Sequence, residues 1–323
     1  MPTTPRIIVV CGPTAAGKTG VAIQLARHLG GEIINADSMQ VYRFMDIGTA
    51  KPTAAEQTLA RHHLVDVVDP DEPFDAACFA RLGRRAVADI ATRGGVPIVA
   101  GGTGLYIKAL LCGLAAEAPS DPDLRGRLMA ERDAQGAPAL HRRLALVDPV
   151  TAARVHPNDA VRIVRALEVY GASGRPLSTH HGEHRFADTP YTAFKIGLEV
   201  ERPFLYARID KRVEFMMAQG LEAEVRGLRD RGYTSQLKPM QSLGYRHVCA
   251  YLEGHASLQE AVVTLKRDTR RFAKRQFTWF RADPEIRWTA PEELTGLLPR
   301  IEGFLGGTPD PSDRPENFVR AIV

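Results

Sequence analysis

Apolar and polar positions along this 323-residue chain fall into two textures. Over residues 6 to about 115, short apolar runs alternate with stretches of helical period. Ile7-Ile8-Val9-Val10 predicts a buried strand, and Val21, Ile23, Leu25, Ala26 and Leu29 mark the apolar positions of a helix stopped by Gly30-Gly31. Glu32-Ile33-Ile34-Asn35-Ala36-Asp37 reads as a second strand. Leu64-Val65-Asp66-Val67-Val68 reads as a third, closed by the turn residues Asp69-Pro70-Asp71. A helix is predicted from Ala76 to about Arg93, with Gly94-Gly95 as its stop. Val96-Pro97-Ile98-Val99-Ala100 is a further strand, running into Gly101-Gly102-Thr103-Gly104-Leu105-Tyr106. Strands alternating with helices mark a parallel sheet covered on both faces.

The texture changes near Pro119-Ser120-Asp121-Pro122. From there to about Arg185 the period is helical, the faces are rich in Arg, and Pro138, Pro149 and Pro157 divide the run into short helices. This predicts an inserted all-helical subdomain. Ala193-Phe194-Lys195-Ile196-Gly197-Leu198 returns to the sheet, and a long helical stretch follows from about Arg202 to Arg281. Residues 303–317, rich in Gly, Pro and Asp, read as a loose end. The expected division is therefore 1–118 for the first part of a catalytic core, 119–189 for the insertion, 190–302 for the rest of the core and 303–323 for a tail. There is no internal repeat.

Composition adds little. Hydrophobic content of 44% with 25% charged residues suits a soluble globular protein. No apolar run reaches membrane-spanning length, and Met1-Pro2-Thr3-Thr4-Pro5 lacks the apolar core of a signal peptide, so a cytoplasmic protein without a membrane partner is expected. Cys11, Cys78, Cys112 and Cys249 lie far apart and suit neither a disulfide framework nor a zinc ribbon. His180, His181 and His184 are accompanied by no Cys and interrupted by Gly182, a poor pattern for metal. A net charge of +4 is too small to imply a nucleic-acid partner, so the distribution of charge matters more.

Between the first strand and first helix stands Gly12-Pro13-Thr14-Ala15-Ala16-Gly17-Lys18-Thr19. It satisfies G-x-x-x-x-G-K-[ST] in the strand, loop and helix setting that the pattern requires. The backbone amides of such a loop, with the positive end of the helix dipole, make a nest for a diphosphate. Lys18 is expected to neutralise the far phosphate oxygens and the Thr19 hydroxyl to hold Mg²⁺. Whether ATP also occupies the nest is left open.

A P-loop alone points to a kinase, but two features point elsewhere. The strand at 98–100 ends in Gly101-Gly102 where a metal-binding Asp commonly stands, although Leu64-Val65-Asp66 leaves that role open. The second strand runs into the polar cluster Asp37-Ser38-Met39-Gln40-Val41-Tyr42-Arg43, at the carboxyl edge where open α/β sheets bind ligands. Asp37 is then close to the P-loop, facing whatever reacts with the bound diphosphate.

The densest charge lies at residues 266–281, where seven of sixteen residues are basic against one acid. Lys266-Arg267-Asp268-Thr269-Arg270-Arg271-Phe272-Ala273-Lys274-Arg275 precedes Trp279 and Phe280, interleaving cations with rings as single-stranded RNA contacts require. A solvated face is the plainer reading of a charge run, and helical period places Phe272 and Phe277 in the core. The excess of base over acid favours RNA.

Taken in order, several blocks resemble one family. They are the P-loop, Asp37-Ser38-Met39-Gln40-Val41-Tyr42, Asp46-Ile47-Gly48-Thr49-Ala50-Lys51-Pro52, His62-His63-Leu64, and Gly101-Gly102-Thr103-Gly104-Leu105-Tyr106. Further along stand Asp148-Pro149, His156-Pro157-Asn158-Asp159, Arg165-Ala166-Leu167-Glu168-Val169, Gly244-Tyr245-Arg246 and Lys274-Arg275-Gln276-Phe277-Thr278-Trp279-Phe280-Arg281. The set, running from residue 12 to residue 281, resembles the bacterial tRNA dimethylallyltransferases, also called tRNA isopentenyltransferases.

The resemblance implies a P-loop NTPase-like sheet flanked by helices with an all-helical insertion. It implies transfer of a dimethylallyl group from dimethylallyl diphosphate to N6 of the adenosine 3′ of a tRNA anticodon. In that chemistry diphosphate is the leaving group, so the loop amides, Lys18 and Thr19 with Mg²⁺ stabilise the charge that develops there. The adenine amine must lose a proton, and Asp37 is the expected acceptor, a role worth about 10²–10⁴-fold. Holding Mg²⁺ or capping a turn stays open for Asp37. Thr103 is implied to contact the RNA near the reacting centre, with a purely local turn bond as its alternative. Contacts to the anticodon stem-loop are implied for Asp37, Ser38, Met39, Gln40, Arg125, Val161, Arg162, Ile163, Val164 and Arg165. They are also implied for Gln241, Ser242, Leu243, Gly244, Tyr245 and Arg246, and for the block Lys274 to Arg281. Flipping the adenine outward costs a few kcal/mol, and the insertion is expected to clamp the RNA that repays it.

Two departures from the family pattern are Ala16, where serine is common, and Phe44, where glycine is common, which puts the loop beside the acceptor site in question. The cysteine positions exclude the C-terminal zinc finger of long eukaryotic relatives. A monomer is expected. Transfer to free AMP or ATP, a small-molecule kinase and a pure binding module are the competing readings.

Overall fold

Six parallel strands form one sheet in the order β3-β2-β4-β1-β5-β6 in the computed structural model, which describes residues 4–114, 121–184 and 190–307. They are β1 (Arg6–Cys11), β2 (Gly31–Asn35), β3 (His62–His63), β4 (Val96–Gly101), β5 (Thr192–Leu198) and β6 (Arg287–Thr289). β1 lies between β4 and β5, and its apolar run from Ile7 to Val10 is buried on both faces, as an interior parallel strand demands. One face is covered by α1 (Lys18–Leu29) and α14 (Leu294–Gly306), where Val21, Leu25, Leu294 and Ile301 pack with Ile8, Ile33, Ile98 and Phe194. α3 (Ala76–Thr92) packs on β2 and β4 and buries Phe79, Val87 and Ile90. No helix among the described residues is long and apolar enough to cross a membrane.

The third strand departs from its prediction. β3 is only His62–His63; the chain then turns through left-handed backbone at Leu64 (φ 63°) and Asp66 (φ 54°) and meets the sheet region again as a lone bridge between Tyr42 and Val68. The cause is a buried cation. Lys51 Nζ donates to Asp66 Oδ1 at 2.6 Å, to Asp46 Oδ1 at 2.5 Å and to the Tyr42 carbonyl at 2.9 Å. A buried ammonium requires such partners, and meeting them pulls Asp66 out of any strand. Asp66 therefore serves Lys51 and does not line the P-loop cavity.

The long helical stretch after residue 202 is several helices: α10 (Arg202–Ala218), α11 (Leu221–Asp230), α12 (Tyr245–Leu252) and α13 (Leu258–Arg281), with a 3₁₀ turn at Pro239–Gln241. Glycines at 220, 232, 244 and 254, all with positive φ, end or separate them. The predicted loose end at 303 is also revised, because α14 continues to Gly306; residues 308–323 lie outside the described residues.

The chain divides into two units, Met1–Leu111 with Pro190–Val323, and Cys112–Thr189. The boundary expected at 118/119 falls outside the described residues. The second unit consists of α5 (Pro122–Gln135), α6 (Ala137–Val147), α7 (Pro149–Arg154), α8 (Ala160–Ser173) and α9 (Leu177–His184). Leu128, Leu140, Leu144, Ile163, Val164 and Leu167 form its core. Within it Glu168 is fully buried, accepting from the Asp121 N–H at 3.1 Å, Arg125 at 3.3 Å and Arg165 at 3.0 Å. The His180 ring meets Ser173 Oγ at 3.3 Å; the side chains of His181 and His184 lie outside the described residues.

Candidate active site

The P-loop connects β1 to α1 by a backbone that only certain residues tolerate. Gly17, at the N-cap of α1, has φ 92°, a left-handed value that glycine adopts without steric cost. Ala15 shares that region at φ 64°. The loop is braced from α13: Gln276 Oε1 accepts from the Thr14 N–H at 2.8 Å. Lys18 Nζ donates to the Pro13 carbonyl at 2.7 Å.

The loop borders a cavity of about 310 Å³ lined by Lys18, Thr19, Asn35, Asp37, Arg212 and Gln276 among others. Burial pushes the Lys18 ammonium down to about 8; Arg212 acts in the same direction, and Asp37 opposes both. The Arg212 guanidinium is lowered by burial and supported by Asp37. Two cations thus share one nearby carboxylate, which leaves positive charge for an anion. A second cavity, of about 320 Å³, is lined by Thr103, Gln241, Ser242, Leu243, Gly244 and Arg246 with others. Thr14, Asp37, Thr49, Arg212 and Phe272 line both.

Asp37 lies just past the end of β2. Its Oδ1 accepts from the Met39 N–H at 2.8 Å and more weakly from the Gln40 N–H at 3.4 Å, so one oxygen does cap a turn. Oδ2 accepts no hydrogen bond among the described residues. Thr103 reaches the same turn, its Oγ1 accepting from the Ser38 N–H at 3.1 Å. Ser38 and Met39 line the second cavity and Gln40 the first, where Gln40 Nε2 also donates to the Thr49 and Ala50 carbonyls, each at 3.0 Å.

The glycines around Thr103 are packing positions. A Cβ on Gly102 would lie 2.3 Å from Gln276 Nε2, and one on Gly104 would lie 2.0 Å from Trp279 Nε1. α13 can lie against this loop only because those side chains are absent.

Several residues expected to touch RNA have internal partners instead. Tyr245 is fully buried and its hydroxyl donates to Glu224 Oε1 at 2.6 Å; alone among residues 241–246 it lines neither cavity. Gln276 is buried and its Nε2 donates to the Gly102 carbonyl at 2.9 Å. Phe280 is buried and Phe277 packs against Trp288, whereas Trp279 is exposed. In the helical unit Ile163 and Val164 are core, Arg125 and Arg165 bind Glu168, and Val161 and Arg162 are exposed. Lys274, Arg275, Thr278 and Arg281 are exposed on α13, and Arg275 lines the second cavity. Phe272, expected in the core, instead lines both cavities from a half-buried position.

Other contributors had no motif. Arg212 falls at the position of α10 that continues Leu205 and Ile209 towards Met216, the buried side of the helix. A charge at an apolar-face position was its one sequence signal. Glu224 accepts from the N–H groups of Asp46 (2.9 Å), Ile47 (2.7 Å) and Gly48 (3.0 Å), holding the loop that supplies Thr49 to both cavities. Phe44 keeps the left-handed backbone of a glycine position, φ 66°, with the Arg231 guanidinium 4.8 Å above its ring.

The donor set suits Mg²⁺. Thr19 and Asp37 bring hard oxygens to one cavity, and among the described residues no cluster of three His, Cys, Asp or Glu could hold a metal alone. Mg²⁺ characteristically takes one or two protein oxygens and completes its shell with phosphate and water.

A parallel sheet with this loop and an edge cavity defines a P-loop NTPase-like protein. A family model described as IPP transferase matches residues 40–283. The chain is 56% identical over 307 residues to a tRNA dimethylallyltransferase of Syntrophobacter fumaroxidans, covering 95% of this chain and 89% of that one. Among solved structures, a full-length tRNA isopentenylpyrophosphate transferase from Bacillus halodurans matches with TM-score 0.70 and 40% identity, covering 94% and 97% of the two chains. A eukaryotic dimethylallyltransferase described as acting on tRNA matches with TM-score 0.78 and 26% identity, covering 96% of this chain and 82% of that one. The chain belongs to the IPP transferase family, the tRNA dimethylallyltransferases.

Proposed function

We propose that the chain transfers a dimethylallyl group from dimethylallyl diphosphate to N6 of the adenosine 3′-adjacent to the anticodon in tRNA, releasing diphosphate. The observation that carries this reading is the sharing of Asp37 and Arg212 by two cavities, one bordered by the P-loop and the other by the 241–246 segment. In this reading the first cavity takes the diphosphate and the second takes the adenine.

The allylic C1–O bond breaks with its electron pair leaving on the diphosphate, and the N6–C1 bond forms. The loop amides, Lys18 and Arg212 hold the charge as it develops on the leaving oxygen. Mg²⁺, bound at Thr19 with Asp37 nearby, would supply further neutralisation of the diphosphate. The N6 proton passes to Asp37 through Oδ2, while Oδ1 keeps the turn. Thr103, tied to Ser38, positions the acceptor side. The exposed cations Arg271, Lys274 and Arg275 meet the phosphates of the anticodon stem-loop, and exposed Arg162 offers a further phosphate contact. Support for tRNA as acceptor comes from these cations and from the names of the relatives.

Incubation with labelled dimethylallyl diphosphate and unmodified tRNA tests the proposal. Label in the adenosine beside the anticodon supports it. Label in AMP instead makes the chain an adenylate transferase, and ATP consumption without label transfer makes it a kinase.

A further inference from the structure

Asn35 is the last residue of β2, its backbone in register with Ala100 of β4. Alternation along a strand puts its side chain on the same sheet face as Ile33, which packs with α1. The residue is 6% exposed, and its side-chain Nδ2 is buried with no hydrogen-bond partner among the described residues. Orphan donors of this kind are rare and unfavourable in folded proteins. Asn35 lines the P-loop cavity together with Lys18, Thr19 and Arg212.

A residue that destabilises the empty protein at that place has a ready use. Two cations, Lys18 and Arg212, line the same cavity, and none of the acceptors around it receives a hydrogen bond from Asn35 Nδ2. Of the two carboxylates in the lining, Asp37 accepts from Met39 and Gln40 through Oδ1, and Glu56 accepts from Thr53. We propose that the Asn35 side-chain amide is a diphosphate-binding residue, donating a hydrogen bond from Nδ2 to a diphosphate oxygen in the cavity. This rests on assigning the P-loop cavity to diphosphate. It adds a neutral donor from the sheet to the donors of the loop and to the two cations. A neutral donor strengthens the hold on the leaving group without adding to the repulsion between Lys18 and Arg212.

Calorimetric titration with inorganic diphosphate and Mg²⁺, on the full chain, tests the assignment. Asn35→Ala is expected to bind diphosphate about 10- to 100-fold more weakly than the wild type, the usual effect of losing a hydrogen bond to a charged group. Asn35→Asp keeps the shape but replaces the donor by a negative acceptor, and should lose more than Asn35→Ala. Asn35→Leu removes the orphan polar group, so it should melt at or above the wild-type temperature without ligand and show a reduced diphosphate-induced shift. Affinity for unmodified tRNA should be unchanged in all three. Wild-type diphosphate affinity in Asn35→Ala and Asn35→Asp would overturn the proposal, as would variants that melt far lower yet bind diphosphate normally. A wild-type protein that binds no diphosphate fails the cavity assignment itself, a distinct result.

Discussion

Gln276 Oε1 accepts the Thr14 N–H at 2.8 Å across 262 positions of sequence, while its Nε2 donates to the Gly102 carbonyl. One buried amide on the most basic helix thus brackets the P-loop and the loop that carries Thr103. Replacing it by alanine leaves a donor and an acceptor unpaired, at about 1–3 kcal/mol for each buried group. Gln276→Ala is expected to lower the denaturant midpoint and weaken diphosphate binding while leaving tRNA affinity in filter binding unchanged. Selective loss of tRNA affinity would return Gln276 to the RNA surface.

Asp37 uses its two oxygens differently, and substitution can separate them. Asp37→Asn retains an oxygen for the Met39 N–H but has no basic carboxylate. We expect it to match the wild type in melting temperature and tRNA affinity while its rate falls about 10²–10⁴-fold. Asp37→Ala should lose similar rate and some stability as well. Wild-type turnover in Asp37→Asn would leave the carboxylate with the turn alone.

The depressed Lys18 ammonium makes diphosphate binding sensitive to pH. Its value in the free protein is about 8, set by burial and then Arg212 against the support of Asp37. Below that pH the ammonium is charged; as pH rises through 8 the free protein loses the charge, so diphosphate affinity should fall and binding should take up a proton. Titrations in buffers of different ionisation enthalpy measure that proton. Stability runs the other way. Because the folded value is below the ordinary 10.5, the unfolded chain binds more protons between about pH 8 and 10.5, and folding stability should rise over that window relative to Lys18→Met.

Glu224 gathers three consecutive amides and the Tyr245 hydroxyl on one carboxylate. Glu224→Ala releases the 46–48 loop and strands a buried phenol, a loss expected to reach about 2–4 kcal/mol from charged hydrogen bonds of about 1.5–3 kcal/mol each, partly replaced by water. Tyr245→Phe removes one of the four contacts and should cost about 1.5–3 kcal/mol. Equal melting of Glu224→Ala and wild type would show that the loop holds itself.

The basic helix divides into structural and exposed cations. Arg270 makes two hydrogen bonds to Asp210, and its guanidinium lies 5.7 Å from the Tyr206 ring centre, whereas Arg271 is 65% exposed at the side chain. Arg270→Ala should therefore act on stability. Replacing Arg271, Lys274 and Arg275 together should weaken tRNA binding and reduce the salt slope by about 0.7–0.9 for each phosphate that is no longer neutralised. A triple variant with the wild-type slope would remove this face from the RNA interface.

How much is legible in the sequence follows from where the information lies. The P-loop is eight contiguous residues between an apolar strand and an amphipathic helix, so its pattern and context are local. The carboxyl-edge position of Asp37 follows from strand direction alone. Residues 64–68 are an apolar, Val-rich run like a strand yet form none, because pairing of Asp66 with Lys51 is a tertiary event that overrides local preference. Gln276, Tyr245 and Phe280 resemble RNA contacts in the sequence, since polar and aromatic residues among cations look like a binding surface until one face is buried.

The sequence by itself determined the P-loop, the parallel sheet, the helical insertion and the basic helix, since each is written in neighbouring residues or in a short period. Only the tertiary structure decided that Asn35, Arg212 and Gln276 meet at the P-loop, and that Glu224 holds the loop bordering both cavities. Those side chains come from a strand end and three separate helices. What brings them to one place is burial of the helix and sheet faces against each other, a long-range effect that no local pattern encodes.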